Sequence, residues 1–253
     1  MNINRRCLTT EQLILSGICV LAIVVRIWCF VGIIGSDDMN YNRNAYALAT
    51  GTFSPAQNHQ MSRLGLVLPV ALLFKLFGVS EVTSIASSFG YFILTFVLVV
   101  YVARILLGKW GGILAGMLYT FLPLEIFHAT MLLADLPSSA CMALSGVIIY
   151  LIDVRSEPTG SSVPWTIQKS SGKVYGVMFL AGVALGWAYL IRETFVFFCV
   201  FVAGYMAWKA LRHKTLRWTW FWFWIGVLVV VGLEMGYYFC RHFFTYLWSY
   251  SRF

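Results

Sequence analysis

Charged side chains are scarce in this chain of 253 residues, and their scarcity excludes most soluble folds. Only 11% of the residues are charged and 60% are hydrophobic, with a mean hydropathy of +0.80. Soluble globular domains carry roughly 25% charged residues. The composition therefore indicates an all-α integral membrane protein with several transmembrane helices.

Disulfide and metal-ligand patterns are also missing from the sequence. The six cysteines form no Cys-x-x-Cys pair, and no histidine stands at metal-ligand spacing. Cysteine in an apolar run behaves as a small hydrophobic residue, so we do not expect a disulfide between Cys29 and Cys240. We do not expect a cleavable signal peptide either, because the first apolar run exceeds an h-region of about 7–15 residues and no Ala-x-Ala pattern follows it.

Long apolar runs account for most of the chain. About seven are long enough to cross roughly 30 Å of hydrocarbon. They cover residues 13–34, 82–104, 111–131, 137–152, 174–191, 194–211 and 219–239. A further run, residues 64–78, is short, contains Pro69 and carries Lys75 near its end. We interpret it as an amphipathic helix at the membrane interface.

The basic residues set the expected orientation. With a cytoplasmic N-terminus and seven crossings, the basic loops 104–109, 155–173 and 209–217 all lie inside, as the positive-inside rule requires. A crossing at 64–78 would move them outside. The chain has 18 Lys and Arg residues and 10 acidic residues, and membrane topology explains this basic excess. Binding of nucleic acid is therefore not expected.

This topology predicts a single membrane domain over residues 1–253. Residues 1–12 are the cytoplasmic N-terminus, and residues 35–80 form the first extracytoplasmic loop with a pair of interfacial helices. The Ser-, Gly- and Pro-rich residues 155–173 form a flexible cytoplasmic linker. Residues 240–253 form an extracytoplasmic tail.

Two adjacent carboxylates follow the first apolar run, in "GSDDMNYNRNAYALATG". Ser36 could cap a helix that starts at Asp37, and acids suit the positive end of a helix dipole. That structural explanation does not require a second acid at Asp38. Asp37, Tyr41 and Ala45 also recur at i, i+4 and i+8, which predicts one face of a juxtamembrane helix.

Two later stretches bring more charge to the predicted outer face. Asp135, in "MLLADLPSSACMAL", either caps the fourth span or joins a site, and Arg192 and Glu193 interrupt the apolar stretch "GWAYLIRETFVFF". Snorkelling is the structural alternative for Arg192. Glu125 lies inside the third span, where an ionisable residue is a functional candidate. We expect the three outer stretches to converge in one pocket.

At these residues the chain resembles the polyprenyl-phosphate-dependent membrane glycosyltransferases of GT-C type, which include protein O-mannosyltransferases and lipid A aminoarabinose transferases. The similar segments follow in order: "DDMNYNRNA", "ATGTF", "RLGLVLPVALLFKLFG", "ARILLGKWGG", "FLPLEIFHATMLLAD" and "AGVALGWAYLIRE". The first acidic pair is usually Asp-Glu in that family and is Asp-Asp here, which shortens the second side chain.

The resemblance implies transfer of a sugar from a polyprenyl-phosphate donor to a glycan, lipid or protein acceptor outside the membrane. An acceptor hydroxyl needs a carboxylate to take its proton, and a single base suffices when attack on C1 inverts the anomeric centre. Asp37 is the expected base. Asp135 orients the acceptor or shares a divalent cation, Mg²⁺ or Mn²⁺, with Asp37.

Cationic groups are expected at the leaving phosphate, which departs as a stable anion. Arg192 offers a planar fork that binds phosphate oxygens in pairs, and Arg63 is a second candidate. Asp38, Tyr41 and Glu193 complete the expected substrate-binding set.

Family members usually continue with further spans, so this chain is expected to be the shared seven-span module, either a minimal enzyme or one completed by a partner chain. A bacterial inner membrane is the expected location. Two other functions stay open: a non-catalytic subunit that binds polyprenyl lipid, and a flippase or small transporter of lipid-linked sugars. A transporter would place ionisable groups near the middle of the membrane, whereas most of the acids here lie near the outer face.

Overall fold

The computed structural model describes residues 10–35, 37–53, 63–155, 166–168, 172–213 and 215–250. Within this part, nine helices account for nearly all residues: α1 Thr10–Trp28, α2 Asp37–Thr50, α3 Leu64–Phe77, α4 Glu81–Thr120, α5 Pro123–Ala129, α6 Asp135–Arg155, α7 Gly172–Ile191, α8 Phe195–His213 and α9 Trp218–Tyr250. Two three-residue strands, β1 Thr166–Gln168 and β2 Thr215–Arg217, pair in parallel.

Six of the helices are long and apolar enough to cross a membrane: α1, α4, α6, α7, α8 and α9. The prediction of an all-α integral membrane protein is confirmed at this level. Some details differ from the sequence prediction. The predicted linker 155–173 contributes β1, and α9 continues to Tyr250, so the predicted tail begins as helix. The predicted cap Ser36 lies outside the described residues.

Helix α4 reverses direction at Gly108, which has φ 74° and ψ −168°. Tyr119 stacks on Phe92 with ring centroids 6.2 Å apart, although a straight helix would separate these residues by about 40 Å. A Cβ at Gly116 would lie 3.1 Å from Val100 Cγ2. The first arm (81–107) and the second arm (109–120) are therefore antiparallel neighbours.

Each end of the bundle carries both acidic and basic side chains, and we name the two ends after one acid at each, Asp37 and Asp153. At the Asp37 end, α1 and α7 finish and α6 begins. At the Asp153 end, α1 begins, and Arg104 Nε contacts Glu11 Oε1 at 2.9 Å. The helix directions place Asp153, near the end of α6, at this second end as well.

Helix α3 lies across the Asp37 end and does not pass between the two ends. Its 14 residues span about 21 Å, which is short of the hydrocarbon thickness. A Cβ at Gly65 would lie 2.8 Å from Leu190 Cβ, at the end of α7. Beyond the other end of α3, Glu81 Oε1 accepts a hydrogen bond from Ile33 N at 2.8 Å. Both ends of α3 thus meet the same end of the bundle.

The core joins α7 and α9 at their smallest residues. Gly182 and Gly226 face one another so closely that a side chain on either would strike the backbone of the partner helix. Small residues let helix backbones approach in membranes, where association depends on van der Waals packing. This contact fixes α7, and therefore the residues that follow it at the Asp37 end.

The Asp153 end is fastened by a buried ionic cluster. The Asp153 carboxylate accepts from Tyr205 Oη and Arg217 Nη1, each at 2.6 Å, and lies 3.3 Å from Lys209 Nζ. Removing a charge from water costs several kcal/mol unless it is paired. Because its donors come from α8 and β2, Asp153 ties three elements together.

Candidate functional site

Helix α2 places the two adjacent carboxylates differently. Asp37 is exposed, whereas Asp38 is fully buried together with Tyr41 and Ala45. Asp38 Oδ2 accepts from Ile34 N at 2.6 Å, and Oδ1 accepts from Met39 N at 2.9 Å. Asp38 therefore binds the backbone around it, and Asp37 is the acid open to a ligand.

Tyr41, one helical turn after Asp37, packs against Arg63. The Arg63 Cζ atom lies 5.2 Å from the centroid of the Tyr41 ring, within cation–π range. Arg63 precedes α3 and has a left-handed backbone, with φ 34° and ψ 57°. A residue other than glycine rarely adopts this conformation, and where it does the surroundings must hold it. The surroundings here include the 4% exposed Tyr41 ring.

The start of α3 brings Arg63 towards Arg192. Gly65, two residues after Arg63, leaves no space between its own Cα and the side chains of Leu190 and Ile191. Arg192 follows directly, and its amide continues α7 by donating to Ala188 O at 2.9 Å. The α3–α7 contact therefore places two guanidinium side chains at one edge of the Asp37 end.

Asp135 and Arg192 form an ion pair between Arg192 Nη1 and Asp135 Oδ1. Asp135 begins α6, and its side chain is 47% exposed against 34% for Arg192. An ion pair this exposed stabilises the fold little. It remains accessible, so a phosphate could exchange with the carboxylate on the guanidinium.

Several charged side chains around Tyr41 affect the pKa of its phenol. Burial raises the pKa of the Tyr41 phenol above its ordinary value. The Arg63 and Arg192 guanidinium groups oppose this rise in pKa, and the Asp37 carboxylate adds to it. One phenol therefore senses charges from α2, from the residue before α3 and from the end of α7.

Glu193 follows Arg192 in the chain and lies close to a second acidic group. Its Oε1 atom is buried and has no hydrogen-bond partner among the described residues. Glu234, which is 5% exposed on α9, and Glu193 both lie near the Tyr189 hydroxyl. These carboxylates place negative charge around the Tyr189 hydroxyl, close to the end of α7.

Arg26 and Glu125 form a polar group of their own between α1 and α4. Arg26 is fully buried, and its guanidinium donates to the carbonyls of Ala22, Tyr119 and Thr120, each at 3.2 Å. Its Cζ lies 3.9 Å from the Phe92 ring centroid. The Tyr119 hydroxyl donates to Glu125 Oε2 at 2.9 Å. Glu125, a functional candidate on sequence grounds, is engaged here.

Glu81 is a residue that the sequence analysis did not select. Glu81 follows Ser80 in the first turn of α4, where an acid is common because it suits the helix dipole. This position alone therefore gives no reason to expect its contact with Ile33. The sequence signal for this contact is the pair of glycines in "VGIIG", which indicates a tight loop around Ile33. In the structure, Gly32 and Gly35 have positive φ values of 78° and 95°. Tight glycine loops of this kind need partners for their backbone amides.

The structure thus brings Tyr41, Arg63 and Arg192 together, pairs Arg192 with Asp135, and sets Asp37 one turn from Tyr41. Asp38 is buried, and Glu193 lies near Tyr189 and Glu234. Among the described residues, no group of three or more His, Cys, Asp or Glu is arranged to hold a metal ion. Comparison of the chain with protein-family models, curated proteins and solved structures gives no match.

Proposed function

We propose that the Asp37 end transfers a sugar from a polyprenyl-phosphate donor to an acceptor hydroxyl or amine. The observation that carries the proposal is the exposed Asp135–Arg192 ion pair beside Arg63 and Tyr41. Two guanidinium groups and two accessible carboxylates at one edge suit a reaction that releases a phosphate and removes a proton. The choice of a sugar and a polyprenyl lipid as the substrate groups rests on the resemblance to polyprenyl-phosphate-dependent glycosyltransferases.

The proposed reaction is a single displacement. The acceptor oxygen forms a bond to C1 of the sugar as the bond from C1 to the phosphate oxygen breaks. The acceptor proton passes to the Asp37 carboxylate, and the electron pair of the broken bond leaves with the lipid phosphate. Attack opposite the phosphate inverts C1 without a covalent intermediate.

Arg192 is the proposed phosphate ligand, because a guanidinium binds two phosphate oxygens in parallel. In the resting state, Asp135 occupies one edge of this fork. When the donor phosphate displaces it, the released Asp135 carboxylate is free to orient the acceptor. Arg63 supports the same phosphate from the α3 side. Asp37 and Asp135 are the carboxylates available to share a divalent cation, if turnover requires one.

The proposed topology has seven crossings. The first arm of α4 is one crossing, and the second arm with α5 is another, since residues 109–129 extend about 30 Å. Helices α2 and α3 form the interfacial pair at the outer face, and the Asp153 end is cytoplasmic because it carries Arg104, Lys109 and Lys209. A bacterial inner membrane fits this arrangement.

The decisive experiment follows release of polyprenyl phosphate from labelled donors by the purified protein. Asp37→Asn preserves size and removes the base, so we expect the turnover rate to fall about 10²–10⁴-fold. Arg192→Ala should weaken donor binding about 10–100-fold, as expected for lost charge-assisted hydrogen bonds. Adding EDTA, then Mg²⁺ or Mn²⁺, to the same assay measures any need for a metal.

Glu11→Gln is the matched control, because it changes a carboxylate in an ion pair at the opposite end. Its turnover should equal that of the wild type. Undiminished turnover in Asp37→Asn would remove Asp37 from the chemistry. Donor binding without any turnover in the wild type would favour the non-catalytic, lipid-binding subunit instead.

A further inference from the structure

Three consecutive backbone amides fasten the loop that leads to Asp37. Gly32 N donates to Thr130 O at 3.1 Å, Ile33 N to Glu81 Oε1 at 2.8 Å, and Ile34 N to Asp38 Oδ2 at 2.6 Å. The acceptors belong to three different parts of the chain. The loop between α1 and α2 is therefore held against the start of α4 and against the segment that leads to Asp135.

The contact between this loop and Glu81 is closely fitted. Gly32 is buried with φ 78°, and a Cβ at this position would overlap the Glu81 carboxylate. A side chain at residue 32 would displace Glu81 and would also strain the backbone. Glycine at position 32 is therefore what lets the Glu81 carboxylate approach the loop and accept the hydrogen bond from Ile33 N.

Helix capping does not account for Glu81. The start of α4 already has a complete capping box, in which the Ser80 side chain accepts from Thr83 N and the Thr83 side chain accepts from Ser80 N. These bonds satisfy the Ser80 and Thr83 amides without any contribution from Glu81. The Glu81 carboxylate turns instead to an amide 48 residues earlier in the chain.

We infer that Glu81 is a positioning residue for Asp37, which deepens and rests on the proposed function. Glu81 holds the loop from the α4 side, and Asp38 holds it from within α2. The amide of Gly32 donates to Thr130 O, five residues before Asp135. The loop therefore fixes the position of Asp37 relative to the Asp135–Arg192 pair. Glu81 acts through this loop and does not need to touch the substrate.

Hydrogen–deuterium exchange of the full-length protein tests the contact directly. In Glu81→Ala, we expect the Ile33 amide to exchange about tenfold faster, as expected for loss of one hydrogen bond to a charged acceptor. Glu81→Gln retains an oxygen acceptor and should preserve most of the protection. Glu11→Ala, which breaks an ion pair at the opposite end, should leave this loop unchanged.

A double-mutant cycle adds an independent check that does not need turnover. Gly32→Ala should also accelerate exchange of Ile33, because the new methyl group displaces Glu81. Since both changes break the same contact, the effects of Gly32→Ala and Glu81→Ala should be less than additive. Additive effects, or unchanged exchange in Glu81→Ala, would overturn the inference.

Turnover separates the positioning role from the proposed function. For Glu81→Ala, we expect kcat to fall with KM unchanged, and Glu81→Gln should restore part of kcat. Faster exchange with wild-type kcat would show that the loop does not position Asp37 for reaction. Absence of turnover in the wild type would contradict the proposed function. The double-mutant cycle followed by hydrogen–deuterium exchange would then test by itself whether Glu81 holds the loop.

Discussion

At the residue scale, helical periodicity selected the correct helix but could not choose between its two acids. A helix turns about 100° per residue, so Asp37 and Asp38 lie about 40° and 60° to either side of Tyr41. Both angles are compatible with a face that contains Tyr41. The packing of α3 and the backbone amide of Ile34 decide that Asp38 turns inward. The sequence carries no local signal for these contacts.

The buried phenol of Tyr41 leads to a prediction on pH. Its pKa is raised above the usual 10.0, chiefly by burial. The folded state therefore keeps the proton to higher pH than the unfolded state does, and the stability due to this group is complete below about pH 10 and is lost as pH rises through the folded pKa. Tyr41→Phe keeps the ring but cannot ionise.

We expect the stability of the wild type to fall faster than that of Tyr41→Phe above pH 10. Thermal unfolding midpoints in detergent at several pH values between 8 and 11 measure this difference. Tyr46→Phe, a change to an exposed tyrosine on the same helix, is the control and should follow the wild type. Parallel curves for all three proteins would show that Tyr41 does not titrate in this way.

At the scale of elements, the sequence predicted most helices within a few residues, because apolar length is the main signal for a membrane helix. The run 111–131 was predicted as one span, yet the helix stops at Thr120 and resumes at Pro123. Pro123 marks the restart, since proline suits the first turn of a helix. What the sequence could not reveal is that Arg26, from α1, takes the carbonyls exposed by the break.

This contact predicts a specific loss of stability in Arg26→Met. The substitution leaves the Tyr119 and Thr120 carbonyls without a donor, which costs about 1–3 kcal/mol for each buried group. Relief from burying a charge offsets part of that cost, so we expect a net loss of about 2 kcal/mol in the free energy of unfolding. Equilibrium unfolding in mixed micelles measures it.

Tyr101→Phe is the matched control for Arg26→Met. It changes an exposed side chain in the first arm of α4 and should alter the free energy of unfolding by no more than about 0.5 kcal/mol. If Arg26→Met were no less stable than this control, the carbonyl contacts would not be holding the break between α4 and α5.

At the scale of the whole molecule, the reversal at Gly108 decides how many times the chain crosses the membrane. Six helices qualify by length and composition, but α4 contains two antiparallel arms. If both arms cross, the chain makes seven crossings, and Gly108 lies on the side opposite to Asp37. The sides on which residues 29, 109 and 133 lie therefore test both the number of crossings and the orientation.

Cysteine labelling in sealed, right-side-out membrane vesicles measures these positions. In a variant that keeps only Cys29, which is exposed just after α1, a membrane-impermeant maleimide should react without permeabilisation. In a background free of cysteine, Leu133→Cys should behave in the same way, whereas Lys109→Cys should react only after the vesicles are opened. Equal labelling of Lys109→Cys and Leu133→Cys from one side would mean that the second arm does not cross. Reversed labelling of all three would turn the Asp37 end to the cytoplasm, where an extracytoplasmic acceptor could not reach it.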